Sequence, residues 1–251
     1  MLPKPYLSPS QINMYLRCPA AYKYRYVDGL ILPPKAALTR GKSVHKGQEH
    51  NYNQKINTLT DVKLSEVQEV TAAEFESLEA ETDWEGLDKG KVKDESISLA
   101  SLYHQEVAPT VQPVLVEQKI EVKLPNTDIS ILGFIDLVDN DGFIRDTKTA
   151  SKTPSESEVI KSLQLSAYSM AYRDLMGMQE AGVKLDYLVA TKTPKVVTLT
   201  AQRSDREIER FANIAKAVAN AISKGVYFAA PGNMLCSEKN CGFWSKCHIE
   251  F

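Results

Sequence analysis

The chain lacks the features that would put it in a membrane or on nucleic acid through bulk charge. No apolar run approaches the ~18 residues that a membrane-spanning helix needs. The first residues also lack the apolar region of a signal peptide, so we expect a cytoplasmic protein. The formal net charge is −2 and the pI is about 6.1. A nucleic-acid partner would therefore need a local basic groove rather than a basic molecule.

Cysteine is scarce, with four in 251 residues. Cys18 stands alone, whereas Cys236, Cys241 and Cys247 lie close together in the sequence. Four thiolates can bind zinc or a [4Fe–4S] cluster, and a cytoplasmic location argues against disulfides. The spacing does not decide between the two, although structural zinc sites prefer closely spaced pairs and Cys18 has no near neighbour.

One stretch combines strong turn chemistry with closely spaced charges. Residues 140–142, Asn-Asp-Gly, predict a tight turn between two strands. If the loop has three residues and Gly142 is left-handed, Asp136 faces Asp146 across the hairpin. Such neighbours have Cβ atoms ~4.5–5.5 Å apart, which suits two carboxylates that share one divalent cation. A two-residue loop would offset the pair by one residue.

Two facing aspartates repel each other unless a positive charge lies between them. Mg²⁺ or Mn²⁺ is the usual partner of such hard oxygen ligands. Lys148 follows on the same face of the second strand, where an ammonium can orient an attacking water or neutralise a developing phosphorane charge. A solvated hairpin with ordinary surface charges is the alternative, and the hairpin alone does not decide between the two.

The pattern Gly133-x-x-Asp136 followed by Asp146-x-Lys148 resembles the core of the PD-(D/E)XK nuclease superfamily. The whole chain is similar to its RecB-like branch, which includes the iron–sulfur nucleases of CRISPR adaptation and of bacterial recombination complexes. The third acid of that branch is often Glu, whereas this chain has Asp146, which the family pattern also allows. The matching motifs run from Ser8 to Cys247 and so cover nearly the whole chain.

Two further motifs acquire a meaning from this resemblance. Taken alone, His45 would more often be a structural or surface residue, and Gln164 and Tyr168 have a commonplace helical spacing. Within the family pattern, Gly41-x-x-x-His45 resembles the first motif and supplies a metal ligand. Gln164-x-x-x-Tyr168 looks like the Gln-x-x-x-Tyr motif, which contacts the substrate phosphate or a metal-bound water and lines the groove.

The resemblance thus implies a metal site and a catalytic lysine. His45, Asp136 and Asp146 would bind Mg²⁺ or Mn²⁺, with the carbonyl of Thr147 as an added ligand, and Lys148 would position the water. Two more acids near the site remain open. Glu49 lies one helical turn from His45, and Glu117 lies on the preceding strand, where solvent exposure would explain it equally well.

The resemblance also implies a [4Fe–4S] cluster rather than zinc. Cys18 and the three cysteines of residues 232–251 match the iron–sulfur segment of these nucleases, which would tie the two ends of the chain together. The Cys-x₄-Cys gap between Cys236 and Cys241 departs from the shorter first gap of related nucleases.

Hydrophobic residues make up 43% of the chain, enough for one sizeable core. We expect a single domain over residues 1–251 with a restriction-endonuclease-like α/β fold, in which helices flank a mixed central sheet. Capping patterns at Ser8 and Ser204 begin helices. Alternation and amphipathic periodicity predict strands at 111–124, 129–138, 143–148, 184–191 and 196–200, and helices near 41–59, 65–82, 91–106, 156–176 and 205–224.

The predicted function is a metal-dependent exonuclease that hydrolyses phosphodiester bonds in DNA ends or single strands. Recombination, repair and spacer processing are the processes that the resemblance suggests, with a recombination or CRISPR-adaptation protein as a partner. The alternative is a non-catalytic DNA-binding subunit of such a complex. The retained Asp136, Asp146 and Lys148 argue against that alternative, since decay normally removes one of them.

Overall fold

A computed structural model describes residues 3–251. One mixed sheet forms its centre, with the strand order β1-β3-β4-β5-β6 and with β2 paired to β3. The strands are β1 Tyr6–Leu7, β2 Pro113–Lys123, β3 Ser130–Asp139, β4 Phe143–Ala150, β5 Gly182–Val189 and β6 Lys195–Ala201. β2, β3 and β4 form an antiparallel meander, and β5 is parallel to β4.

Helices cover both faces of this sheet. They are α1 Pro9–Arg17, α2 Pro19–Tyr22, α3 Ala36–Thr58, α4 Leu64–Glu79, α5 Lys89–Glu106, α6 Ser157–Lys161, α7 Leu163–Met176, α8 Asp205–Ser223 and α9 Trp244–Glu250. One core cluster packs α1, α7 and α8 against the sheet, and we call this side the α7 face. A second cluster packs α3 and α5 against the other side, the α3 face. This arrangement confirms the predicted α/β fold. Within residues 3–251, no helix is long and apolar enough to cross a membrane.

Local sequence signals set several helix boundaries, and the caps at Ser8 and Ser204 are as predicted. Ser8 and Ser204 each form a capping box, with Gln11 and Glu207 at the third helical position. Gly177 ends α7 in the left-handed conformation, with φ of 66°.

The β3–β4 turn has the predicted geometry. Gly142 is left-handed with φ of 81°, and its amide donates to the carbonyl of Asp139 at 2.9 Å. The side chain of Asp139 accepts from the amide of Phe143 at 2.8 Å. Leu137 pairs with Arg145, and continuing this register by one residue puts Asp136 opposite Asp146.

The meander changes its side-chain alternation near its middle. Side chains an odd number of residues apart point to opposite faces of a regular strand. Leu115 and Ile120 nevertheless pack in the same core cluster on the α7 face, as do Ile135 and Val138 of β3. Between Leu115 and Ile120, Glu117 has φ of 45°, which is uncommon for a residue with a side chain. This left-handed residue gives a local cause for the reversal in β2.

The structure corrects two predicted helices. The helix predicted at 156–176 is two helices, because Ser162 leaves the helical conformation and caps α7 through the amide of Leu165. The helix predicted to open at Gly41 begins at Ala36 instead. His45 therefore lies well inside α3, more than two turns from the start of the helix.

Candidate active site

The strands β3 and β4 separate at the two predicted aspartates. The ladder between them ends at the pair Leu137 and Arg145, so Asp136 and Asp146 are the first residues beyond it. The amide of Thr147 still reaches Asp136 Oδ2 at 3.4 Å. Carboxylates at such a fork are less constrained by backbone pairing, and their side chains can turn towards different neighbours.

Asp136 turns towards α3 and β2. His45 Nδ1 lies 3.4 Å from Asp136 Oδ2, and His45 Nε2 lies 2.8 Å from the carbonyl oxygen of Thr147. Glu117 completes this group, because ligand atoms of His45, Glu117 and Asp136 all lie within 4.8 Å of one another. We call these three residues the acid group. Helix α3, the left-handed position of β2 and the end of the β3–β4 ladder thus each contribute one side chain.

The charges of this group are poorly compensated. Burial, followed by the nearby charge of Asp146, raises the pKa of Asp136 well above its ordinary value. Burial and the charge of Glu49 raise the pKa of Glu117 to about 7. Burial lowers the pKa of His45, which favours the neutral imidazole that can bind a metal. A divalent cation would neutralise the acids and use the histidine nitrogen as a ligand.

Asp146 turns towards α7 and forms a second group. Lys148 Nζ lies 2.7 Å from Asp146 Oδ2 and donates to Gln164 Oε1 at 3.0 Å. Gln164 Nε2 lies 2.9 Å from Asp146 Oδ1 and 2.7 Å from the hydroxyl of Tyr168. Burial alone would lower the pKa of Lys148, but the charge of Asp146 raises it above its ordinary value. Four residues predicted for the site therefore form one hydrogen-bonded chain beside the acid group.

A small cavity behind the acid group also offers a polar partner. Its lining includes Gln48, Tyr52, Glu117 and Asp136, and its volume is about 20 Å³, enough for roughly one water molecule. Gln48 is 7% exposed, and its Nε2 has no hydrogen-bond partner within residues 3–251. A buried donor without a partner is costly, so this cavity suits one water molecule that accepts a hydrogen bond from Gln48 Nε2.

An open cleft leads from solvent to the acids. It has a volume of about 620 Å³ and runs between α3 and the ends of β3 and β4. Lys42 and Lys46 of α3 line it together with Lys148, while Glu49, Glu74 and Glu117 bring negative charge. The cleft is therefore mixed in charge. A cation at the acid group would make its floor more attractive to a phosphate.

The four cysteines lie near one another in the structure although Cys18 is far from the others in sequence. Cys18, Cys241 and Cys247 pack in one small cluster around Tyr24 and Phe243. Burial raises the pKa of the Cys247 thiol, and the charges of the other three cysteines add to this effect. All four thiols are free.

The profile of the PD-(D/E)XK nuclease superfamily matches residues 6–248. The chain belongs to this superfamily. The match extends from β1 into α9 and so contains both charged groups and all four cysteines. The search of curated proteins found no significant match.

A solved structure at low sequence identity shares the fold of this chain. A candidate exonuclease from Eubacterium rectale aligns with a TM-score of 0.62 at 10% identity, over 98% of this chain and 88% of that one. The structure of SSO0001 aligns with a TM-score of only 0.33 at 15% identity, over 69% of this chain and 87% of that one.

The structure brings together all the residues predicted for the site but divides them differently. Asp146 lies outside the compact group of possible ligands, and Glu117 takes the place next to Asp136 and His45. The sequence carried a signal for Glu117, since it lies on the strand that pairs with the one bearing Asp136. Its left-handed backbone was not predicted, because nothing in the local sequence marks it.

Proposed function

We propose that this protein is a Mg²⁺- or Mn²⁺-dependent deoxyribonuclease. The observation that carries the proposal is the pairing of an under-compensated ligand group with a fixed lysine at the β3–β4 fork. His45, Glu117 and Asp136 would hold the metal, with the carbonyl of Thr147 nearby. Asp146 remains a proposed ligand, which would require its carboxylate to turn from Lys148 towards the cation.

The side chains of the chain have distinct roles in this mechanism. When bound, the divalent cation polarises the phosphate and lowers the pKa of a bound water. Lys148 would hold the attacking water and offset negative charge that develops on the phosphate. Asp146 and Gln164 keep the ammonium in place, since both contact its Nζ. Tyr168 anchors Gln164 from one turn further along α7.

We propose an exonuclease that acts on DNA ends or single strands. The description of the similar Eubacterium rectale protein supports this mode, and the open cleft supports access by a strand terminus. Recombination, repair or spacer processing, with a protein partner from such a complex, are the proposed processes. A non-catalytic DNA-binding subunit is the alternative. The intact chain from Asp146 to Tyr168 supports catalysis over that alternative.

Digestion of end-labelled linear and circular DNA, with Mg²⁺, with Mn²⁺ and with EDTA, tests this proposal. We expect metal-dependent loss of linear DNA and survival of circles. Asp136→Asn and Lys148→Ala should abolish the loss. The melting temperature of Asp136→Asn should not fall, whereas that of Lys148→Ala should fall because the buried Asp146 loses its ammonium partner. Asp141→Asn and Lys152→Ala are matched controls, because both residues are exposed and close in sequence. Binding of DNA without cleavage under any metal condition would support the alternative instead.

We further propose that Cys18, Cys236, Cys241 and Cys247 bind a [4Fe–4S] cluster within a single domain. Cys18, Cys241 and Cys247 pack in one cluster, and the charge of Cys236 also acts on Cys247, which supports one inorganic group shared by the four thiols. The cluster is favoured over zinc because structural zinc sites prefer closely spaced pairs of cysteines, whereas Cys18 has no near neighbour in the sequence.

Anaerobic purification and visible absorbance test the cluster. The wild-type protein should be brown and contain about four iron atoms per chain. Cys18→Ala and Cys236→Ala should lose the colour, whereas Ser245→Ala, an exposed change between two of the cysteines, should keep it. Stoichiometric zinc in a colourless wild-type protein would contradict the cluster.

A further inference from the structure

Strand β3, which pairs with β2, carries an aromatic side chain that lies outside the hydrophobic core. Phe134 is 50% exposed, although its strand has neighbours on both edges, β2 on one and β1 and β4 on the other. The flanking residues on the strand face the opposite way. Ile135 is fully buried on the α7 face, and a side chain at Gly133 would meet Tyr168 of α7. Phe134 therefore lies on the α3 face, with half of its surface open to solvent.

A lysine stands directly beside this ring. Lys119 is the register partner of Phe134 across the antiparallel pair, so their Cβ atoms are ~4.5–5.5 Å apart. Lys119 is exposed, and within residues 3–251 it forms no ion pair with an acidic side chain. The pair thus combines a flat apolar ring with a free positive charge.

This pair continues the candidate active site along the same two strands. Phe134 lies two residues from Asp136, and Lys119 lies two residues from Glu117. Two residues of a strand span about 6–7 Å, which is within the reach of a nucleotide adjacent to the one being cleaved. Lys42 and Lys46 of α3 line the cleft on the same face, although Lys46 pairs with Glu49 at 2.8 Å.

We propose that Phe134 and Lys119 form a subsite for one unpaired nucleotide next to the scissile phosphate. Phe134 stacks on its base, and Lys119 pairs with its backbone phosphate. Aromatic stacking needs the face of a base, which is covered inside a duplex and free in a single strand or a frayed end. This subsite therefore selects a strand with unpaired bases. The proposal rests on the proposed nuclease function and names the substrate class of that same site.

Binding without cleavage tests the subsite separately from the nuclease function. The probe is a single-stranded 2-aminopurine oligonucleotide, titrated into the full-length protein in Ca²⁺ and again in EDTA. Stacking on Phe134 should quench the 2-aminopurine signal. Phe134→Ala should lose the quench and bind roughly tenfold more weakly, as expected for one lost base–aromatic stack. Phe134→Trp should keep both, and Phe134→Leu should lose the quench although it stays apolar.

Substitutions elsewhere on β2 test whether the effect belongs to Phe134 and Lys119 or to any exposed side chain of the strand. Val114→Ala removes another exposed apolar side chain of β2 and should change nothing. Lys119→Gln should lower the salt dependence of binding by about one phosphate contact, whereas Lys123→Gln, four residues further along β2, should not. Blunt duplex should bind the wild type and Phe134→Ala equally.

Two results would overturn the subsite. One is wild-type affinity and quench in Phe134→Ala. The other is an equal loss of duplex and single-strand binding in that variant with an unchanged melting temperature. If the wild type binds and quenches the probe but never cleaves DNA with Mg²⁺ or Mn²⁺, the subsite stands and the nuclease function fails.

Discussion

Two groups of charged side chains each include an aspartate of β3, Asp139 in one and Asp136 in the other, yet they differ in how their charge is balanced. Arg145 is buried and donates to Asp186 through Nε at 3.0 Å and Nη2 at 3.1 Å, and to Asp139 through Nη1 at 3.3 Å. Thr198 donates to Asp186 at 2.6 Å. We call these four residues the arginine network. In the acid group, by contrast, Glu117 and Asp136 face a histidine whose neutral form is favoured.

The comparison separates a structural group from a functional one. In the arginine network, one guanidinium serves two carboxylates with directed hydrogen bonds, so the group is complete within the chain. The acid group has ligand atoms but too little positive charge, so it is complete only with an added cation. Burial of charge alone would not distinguish the two. The partners of each charge do.

The largest effect is expected when a substitution removes the cation of the arginine network. Arg145→Met leaves Asp139 and Asp186 buried without their cation, so the free energy of unfolding should fall by about 3–5 kcal/mol. Urea denaturation in EDTA measures this. Lys93→Met is the matched control, because Lys93 pairs with Glu76 at the solvent-exposed surface, where an ion pair contributes little to stability. Equal effects of the two substitutions would contradict the structural role of the network.

The next largest effect is expected when a substitution removes a ligand from the acid group. Asp136→Asn should reduce the cleavage rate by at least about 10²–10³-fold, a typical loss for removed electrostatic stabilisation. Its stability in EDTA should stay equal to that of the wild type or rise, because an under-compensated buried carboxylate has been neutralised. A variant that loses activity only because it unfolds would not support a metal-binding role for Asp136.

Added divalent metal should stabilise the folded protein through the acid group and not through the arginine network. At one hundred times its dissociation constant, Mn²⁺ should raise the free energy of unfolding of the wild type by about 2.7 kcal/mol. Asp136→Asn should lose this gain, whereas Asp141→Asn should keep it. Thermal unfolding over a Mn²⁺ titration provides the measurement. A full gain in Asp136→Asn would mean that the cation binds elsewhere.

The smallest effect concerns pH in the metal-free protein. The pKa of Glu117 is raised from 4.5 to about 7 in the folded chain, first by burial and then by Glu49. The folded state therefore holds this proton more tightly, and stability should fall as the pH rises from about 4.5 to 7. Glu117→Gln should remove part of that fall, with a modest gain at pH 8 and none at pH 4. If the stability of the wild type and of Glu117→Gln fell equally between pH 4.5 and 7, the raised pKa of Glu117 would not be the cause of the fall.

Much of the fold follows from local sequence. Residues 140–142 set the turn and with it the register that puts Asp136 opposite Asp146, and Ser8 and Ser204 mark two helix starts. The break at Ser162 was missed because the residues on both sides are good helix formers, and only the cap on Leu165 reveals it. The true start of α3 was also missed, since Ala36 follows no capping side chain.

The site was less predictable than the fold. The facing aspartates suggested one shared cation, but Asp146 instead contacts Lys148 and Gln164. The division depends on the end of the β3–β4 ladder and on the left-handed Glu117, both of which are set by tertiary packing. Spacing in the sequence gives the members of such a site. It does not give the direction in which each carboxylate turns.

The most direct test is an anomalous-difference map from crystals of the full-length protein soaked in Mn²⁺. The account predicts one strong peak within bonding distance of His45, Glu117 and Asp136, beside the Thr147 carbonyl, and its loss in crystals of Asp136→Asn. A peak elsewhere, or none in an intact lattice at saturating Mn²⁺, would contradict the assignment of this group as the metal centre.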